Sequence, residues 1–105
     1  MGKAKQNYVW IQENPGEPNE TIYYGQIKKG KYHGKGTIIF PKRFRYKGKF
    51  KNGLEDGFGI CYYDNGDIFE GRYENGEKNG YGIYTHQKRR IKGIWENGIL
   101  KKKFK

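Results

Sequence analysis

Apolar residues in the middle of the chain alternate with polar ones, as in residues 46–50, YKGKF. A spacing of two is the period of a β-strand, because successive side chains point to opposite faces of the sheet. Each alternating stretch is followed by Lys-Gly at 29–30 or by Asn-Gly at 52–53, 75–76 and 97–98. Asn-Gly between alternating stretches is the strongest short signal for a β-hairpin. The pattern therefore predicts a series of hairpins.

The predicted hairpins recur along the chain at steps of 22 or 23 residues. Four sets of glycines share these steps: Gly25, Gly48, Gly71 and Gly93; Gly30, Gly53, Gly76 and Gly98; Gly34, Gly57 and Gly80; Gly36, Gly59 and Gly82. An aromatic or aliphatic residue lies two positions before and two positions after each glycine of the first set. We therefore predict an all-β fold, in which tandem hairpins form an elongated, twisted, single-layer antiparallel sheet.

The segments YYGQIKKGKYHGKG, YKGKFKNGLEDGFG and FEGRYENGEKNGYG resemble the MORN repeat, the membrane occupation and recognition nexus. The resemblance covers residues 23–98, with units that begin at residues 23, 46, 69 and 91, the last being half a unit. Residues 1–22 are interpreted as an N-terminal tail and a leading hairpin, with a first strand at Tyr8–Ile11. Residues 99–105 are interpreted as a basic C-terminal cap.

Recurrent glycines inside strands need a packing reason, because glycine weakens a strand. We interpret them as sites over which aromatic rings of one face fold, the arrangement called aromatic rescue. Alternation places Gly57 and Gly59 on that face, together with Tyr23, Ile27, Ile38, Phe40, Tyr46, Phe50, Cys61, Tyr63, Phe69, Tyr73, Tyr84, His86, Ile91 and Trp95. The other face receives Ile39, Phe58, Ile60, Tyr62, Tyr81 and Ile83. A single sheet cannot cover both faces, and large exposed apolar patches mark interaction sites.

The chain of 105 residues carries 22 basic and 11 acidic residues, a formal net charge of +11. The charge is +9 over residues 1–53, −5 over residues 54–82 and +7 over residues 83–105. Because a repeat sheet keeps sequence order in space, we expect basic, acidic and basic bands along its axis. This layout favours an acidic partner bound through the two ends, such as a tubulin-like surface or an anionic lipid.

Catalytic and metal chemistry find little support in the sequence. Carboxylates such as Glu55, Asp56, Asp64 and Asp67 are expected in solvated turns, whereas catalysis needs a water-excluding pocket. His86 and Cys61 have no neighbours at metal-ligand spacing. We therefore predict no enzyme, no metal site and no cofactor.

Residues 41–53, PKRFRYKGKFKNG, interleave basic and aromatic residues as proteins that bind single-stranded nucleic acid do. The rings in this segment are already explained by the repeat face. No nucleic-acid partner is therefore expected.

The resemblance implies a non-enzymatic protein-interaction module, a small scaffold or adaptor subunit of a ciliary (radial-spoke-like) or other cytoskeletal complex. It also implies that a partner segment docks on the aromatic face, at Tyr23, Phe40, Tyr46, Phe50, Tyr63, Phe69, Tyr73, Tyr84 and Trp95. The basic residues Lys101, Lys102, Lys103 and Lys105 are predicted to contact an acidic partner or lipid. The alternative function is peripheral binding to anionic phospholipid membranes.

The N-terminus lacks the apolar core of a signal peptide, and no stretch approaches the ~20 apolar residues of a membrane span. We therefore expect an intracellular protein, and the resemblance implies the cytoplasm, the cytoskeleton or the cilium as its setting.

Overall fold

A computed structural model describes residues 8–105, which form one nine-stranded antiparallel sheet. The strands lie side by side in chain order, so each pair of neighbours is a hairpin. They are β1 (Tyr8–Glu13), β2 (Thr21–Lys28), β3 (Lys31–Phe40), β4 (Phe44–Lys51), β5 (Leu54–Tyr63), β6 (Ile68–Glu74), β7 (Glu77–His86), β8 (Arg89–Glu96) and β9 (Ile99–Lys103). The predicted all-β sheet of consecutive hairpins is confirmed. The part of the predicted N-terminal tail at residues 1–7 lies outside the described residues.

The hairpin turns at one end of the strands are the Lys-Gly and Asn-Gly pairs. Asn52 and Gly53 both have positive φ, 52° and 89°, as a type I′ turn requires. The pairs at 29–30, 75–76 and 97–98 have the same signs. Type I′ turns match the right-handed twist of the strands that they join, which explains why this dipeptide recurs.

The sheet extends beyond the repeat region at both ends. All six residues of β1 pair with β2, which begins at Thr21 and continues without a break into the first repeat unit. The leading hairpin therefore shares β2 with the first repeat unit. The first strand of this hairpin, β1, ends two residues later than predicted, at Glu13. At the other end, β9 pairs with β8, so Lys101–Lys103 belong to the sheet.

A line of glycines crosses the sheet and faces the aromatic rings. Seven glycines on consecutive strands pair directly with one another, and we call this line the glycine ladder: Gly25, Gly36, Gly48, Gly59, Gly71, Gly82 and Gly93. Rings fold down onto it: Tyr23 lies over Gly36, Tyr46 over Gly59 and Phe69 over Gly82. A methyl group added to any of these three glycines would approach the ring to less than 3.0 Å. The packing reason inferred for the strand glycines is therefore correct.

A second kind of strand glycine has a different role. The register shifts in the repeat hairpins, so that Asp56, Gly57 and Phe58 of β5 lie opposite Lys49 alone. Gly57 has a φ of 104°, and a Cβ at this position would meet the Lys49 side chain on the face away from the rings. The predicted placement of Gly57 on the face of Tyr46 and Phe50 is wrong, because a β-bulge reverses the alternation there.

Candidate docking site

The buried aromatic residues form a continuous chain along one face of the sheet, which we call the inner face. Six rings follow one another edge to face, with successive centroids 5.0 to 5.7 Å apart: Tyr23, Phe50, Tyr46, Tyr73, Phe69 and Trp95. Edge-to-face contacts of this kind place the positive ring edge against the negative ring face. Three of the five contacts join different repeat units, and the other two join rings of one strand, in β4 and in β6. This ring chain is therefore the core of the described sheet.

The ring chain accounts for most of the residues predicted to dock a partner. Tyr23, Tyr46, Phe50, Phe69, Tyr73 and Trp95 are each at most 8% exposed. Side chains this buried offer almost no surface, so in this structure they hold the sheet together rather than face a partner. Phe40, Tyr63 and Tyr84 are half-buried and pack against the core from its margin. For these three, direct contact with a partner stays a prediction.

Beside the ring chain lies an open groove of about 310 Å³, which we call the inner groove. Its aromatic walls include Phe44 and Tyr63, and Tyr73 lies among its lining residues. Three charged residues also line it: Glu55 and Lys78, which are half-buried, and Glu77, which is exposed. Ring-lined walls with a few polar groups are typical of binding sites.

Glu55 and Lys78 occupy the same place in their repeat units, two residues after the turn glycine. In the first unit this place belongs to Tyr32, whose ring stacks on Tyr23 at 3.9 Å. The Lys78 Nζ instead lies 5.1 Å from the centroid of the Phe69 ring, a cation–π contact. Sequence reasoning missed both residues, although their shared position with Tyr32 could have indicated that they point inward.

Burial shifts the pKa of the two half-buried charged groups of the inner groove, Glu55 and Lys78. It raises the pKa of the Glu55 carboxyl and lowers the pKa of the Lys78 ammonium, since each charged form loses hydration. No direct ion pair joins the two groups. A partner that brought an opposite charge to either one would stabilise its charged form.

The hydroxyl and thiol groups of the inner face are poor candidates for nucleophiles. Burial raises the pKa of Tyr23 to about 12, and its hydroxyl donates to the Gln26 carbonyl at 2.5 Å. The Tyr46 hydroxyl donates in the same way to the Lys49 carbonyl, at 2.8 Å. Burial also raises the pKa of the Cys61 thiol. These groups therefore stay protonated near neutral pH.

The family model of the MORN repeat matches the chain three times, over residues 23–43, 46–68 and 69–88. The chain belongs to the MORN-repeat family. Each match covers one hairpin of the sheet, β2–β3, β4–β5 and β6–β7 in turn. No curated protein sequence matches the chain. MORN repeats commonly bind proteins or membranes, which agrees with a non-enzymatic interaction role.

At the other end of the MORN hairpins, a buried carboxylate fixes a turn. Asp67 is only 7% exposed and accepts a hydrogen bond from the Tyr84 hydroxyl at 2.8 Å. The Nδ1 atom of His86 lies 2.7 Å from its other oxygen. The expectation that Asp67 is a solvated turn residue is therefore wrong. The hydrogen bonds from His86 and Tyr84 lower the pKa of this carboxyl.

We expect the Asp67→Asn variant to be less stable than the parent at neutral pH. Because the folded-state pKa lies below the ordinary value of 3.8, the carboxylate stabilises the fold above that pH. This stabilisation is lost as the pH falls through the folded-state pKa, so the two proteins should converge in strong acid. Urea unfolding across the acid range measures the difference. The control Asp64→Asn changes an exposed residue of the same turn, and an equal effect there would contradict the assignment.

The face of the MORN sheet opposite the ring chain, which we call the outer face, is rich in cations. Two rows of residues flank the glycine ladder on it, and we call them the outer rows: Tyr24, Thr37, Lys47, Ile60, Glu70, Ile83 and Lys92; and Lys35, Lys49, Phe58, Arg72, Tyr81, Ile94 and Lys102. Their six cations are exposed, whereas Glu70 is half-buried. Charge thus differs between faces as well as along the axis.

The lysines predicted to contact an acidic partner lie at the end of the sheet. Lys101, Lys102 and Lys103 are exposed on β9, and Lys105 follows the strand. Lys102 pairs with Ile94 and so belongs to the outer rows. Their contact with a partner stays a prediction.

Residues 8–105 hold no group of three or more His, Cys, Asp or Glu side chains placed to bind a metal ion. The same residues include no helix with the length and apolar character needed to cross a membrane.

Proposed function

We propose that this MORN-repeat protein is a small scaffold or adaptor subunit that docks a partner segment in the inner groove. The observation that carries the proposal is the inner groove itself, in which Phe44 and Tyr63 flank the poorly hydrated charges of Glu55 and Lys78. An apolar anchor between the two rings would leave the partner's backbone free to place charged side chains near both groups. Such a site selects a segment by its pattern of charge, since unpaired buried charges penalise a wrong partner.

The proposed setting is a ciliary, radial-spoke-like complex or another cytoskeletal assembly inside the cell. The family resemblance supports this setting. The net charge of +11 supports partners with acidic, tubulin-like surfaces, because opposite potentials steer association. The exposed Lys101, Lys102, Lys103 and Lys105 are the residues proposed to meet such a surface.

Affinity purification from native cells tests docking in the inner groove. We expect the double variant Tyr63→Ala and Lys78→Ala to lose a partner that the parent retains, because the change removes one wall and one charge of the groove. The matched control is Phe58→Ala with Lys47→Ala, which removes a ring and a lysine from the outer face. Both variants are first compared with the parent by thermal melting.

The docking proposal requires that a partner be lost when residues of the inner face are changed and retained when residues of the outer face are changed. Retention of every partner by the folded Tyr63 and Lys78 variant would contradict it. Loss of the same partners from the Phe58 and Lys47 control would place the contact on the outer face instead.

A second candidate function is peripheral binding to anionic phospholipid. The observation that favours it is the exposed lysine cluster at β9, since each basic residue near an anionic membrane contributes about 1 kcal/mol. Co-sedimentation with phosphatidylcholine vesicles, with and without phosphatidylserine, measures this binding. Equal sedimentation with both kinds of vesicle would rule the candidate out.

A further inference from the structure

The outer face combines positive charge with exposed rings. The outer rows hold six cations and one anion, and the cations extend from β3 to β9. With neighbouring strands ~4.8 Å apart, this distance is about 29 Å, enough for several nucleotides of an extended strand. Four rings on the same face are at least 40% exposed: Trp10 at 72%, Phe58 at 54%, Tyr81 at 45% and Tyr24 at 40%.

A ring-lined groove lies among these cations. It measures about 490 Å³ and has Tyr8, Tyr24 and Phe58 in its walls, and its lining also includes Gly36 and Gly48 of the glycine ladder. Lys35, Lys47 and Lys49 also line it. Tyr24 is held in place by its neighbours, since its ring centroid lies 4.8 Å from that of Trp10 and 5.2 Å from that of Tyr8.

We propose that the outer face binds single-stranded nucleic acid, at a surface separate from the inner groove. Lysines contact the phosphates, while bases stack on Tyr24, Trp10 and Phe58. A polyanion that also carries flat apolar groups matches both features of this groove, and protein surfaces that bind single strands combine the same two features. Five of the six cations are lysines, which suits contact with the backbone in many sequences better than reading of bases.

The expectation of no nucleic-acid partner is based on the rings of residues 41–53 and does not extend to the rings of the outer face. It rested on the rings being explained by packing of the repeats. That explanation applies to Tyr46 and Phe50, which are buried in the ring chain. It does not apply to Trp10, Tyr24 and Phe58, whose rings point away from that core.

The test measures the binding of a fluorescein-labelled oligothymidylate, about 20 nucleotides long, by fluorescence anisotropy. Salt is varied between about 50 and 200 mM. We expect the triple variant Lys35→Gln, Lys47→Gln and Lys49→Gln to bind at least about tenfold more weakly than the parent. The slope of log affinity against log salt should fall by about 2, since each phosphate contact on a single strand contributes about 0.7.

A matched control separates a defined surface from net charge alone. The triple variant Lys29→Gln, Lys42→Gln and Lys88→Gln removes the same charge from three exposed turn lysines. It should change the slope by much less. Equal losses in the two triple variants would overturn the proposal, because they would show that only the overall charge matters.

The two tryptophans report on the two faces separately. Trp10 is exposed on the outer face, and Trp95 is buried in the ring chain at 6% exposure. In the Trp95→Phe variant, stacking of bases should quench the fluorescence of Trp10. Binding of the oligonucleotide without quenching would overturn the role of the rings.

Two further outcomes would contradict the nucleic-acid proposal. Absence of oligonucleotide binding at about 50 mM salt would refute the proposal. Binding to vesicles that contain phosphatidylserine, lost in the Lys35, Lys47 and Lys49 variant while the oligonucleotide is ignored, would assign the face to a membrane. None of these results depends on the Tyr63 and Lys78 variant, so the inner-groove proposal can fail or succeed independently.

Discussion

Phe69→Ala is expected to cost about 4 kcal/mol of unfolding free energy, within the range for removing a buried aromatic side chain. Phe69 is 0% exposed, and its ring contacts Tyr73 and Trp95 edge to face. It also covers Gly82, so its loss opens the sheet beneath it. Domains of this size have a stability of about 5–15 kcal/mol, and the melting temperature should therefore fall by about 20 °C.

Phe58→Ala is the control for Phe69→Ala, because it removes the same side chain from the outer face. Phe58 is 54% exposed and belongs to no ring pair of the core. Its removal should cost less than about 1 kcal/mol. Urea unfolding of the two variants measures the difference, and similar losses would contradict the division into a packed inner face and an open outer face.

Gly59→Ala is expected to cost about 2 kcal/mol although it adds only one methyl group. The new Cβ would collide with the hydroxyl-bearing end of the Tyr46 ring. In a Tyr46→Leu background the shorter side chain leaves that space free, so most of the cost should disappear. Urea unfolding of the two single variants and the double variant measures this coupling.

Gly48→Ala serves as the comparison for Gly59→Ala. A Cβ at Gly48 would lie 2.5 Å from the Gly59 Cα and 2.6 Å from the Phe58 carbonyl oxygen. Because backbone atoms block this position, Tyr46→Leu should not restore stability. If the leucine background relieved both alanine variants alike, the ring would not be the cause of the Gly59 penalty.

The sequence was sufficient to predict the hairpins and most of the core. Asn52 and Gly53 specify their turn through local backbone chemistry, and this does not depend on the rest of the fold. Tyr46 lies two residues before Gly48, and the alternation correctly places its side chain on the inner face. Local turn chemistry and a strand period of two are both encoded by adjacent residues, so repetition made them easy to recognise.

The bulges could not be predicted from the same pattern. Gly57 and Gly59 look equivalent in the sequence, yet Gly57 supplies a positive φ and Gly59 makes room for a ring. The difference depends on the register with β4. Ile27 shows the effect of lying in the first unit. The alternation predicts it on the packed face, but it is 36% exposed. Phe50 and Tyr73, which occupy the same place in the second and third units, are buried.

The candidate sites depended on tertiary context even more strongly. Glu55 was predicted to lie in a solvated turn, but its position two residues after the turn glycine directs it into the inner groove. Lys78 is found there for the same reason. The repeat pattern predicts docking at the aromatic residues that recur in every unit. A single-layer sheet needs those same residues for its own core.

The chain order of the strands has a consequence for how the protein folds. Within residues 8–105, residues paired in the strand register are at most 19 positions apart, the separation of Phe44 and Tyr63, and the turn hydrogen bonds reach 21, as from Gly53 to Tyr32. Contact order is therefore low for an all-β protein, and folding rates rise as contact order falls. Each hairpin can close by itself and then serve as the template for the next, without waiting for distant strands to meet. We therefore expect folding to spread along the chain from any unit that forms first, and to be faster than in a β-sandwich of equal length.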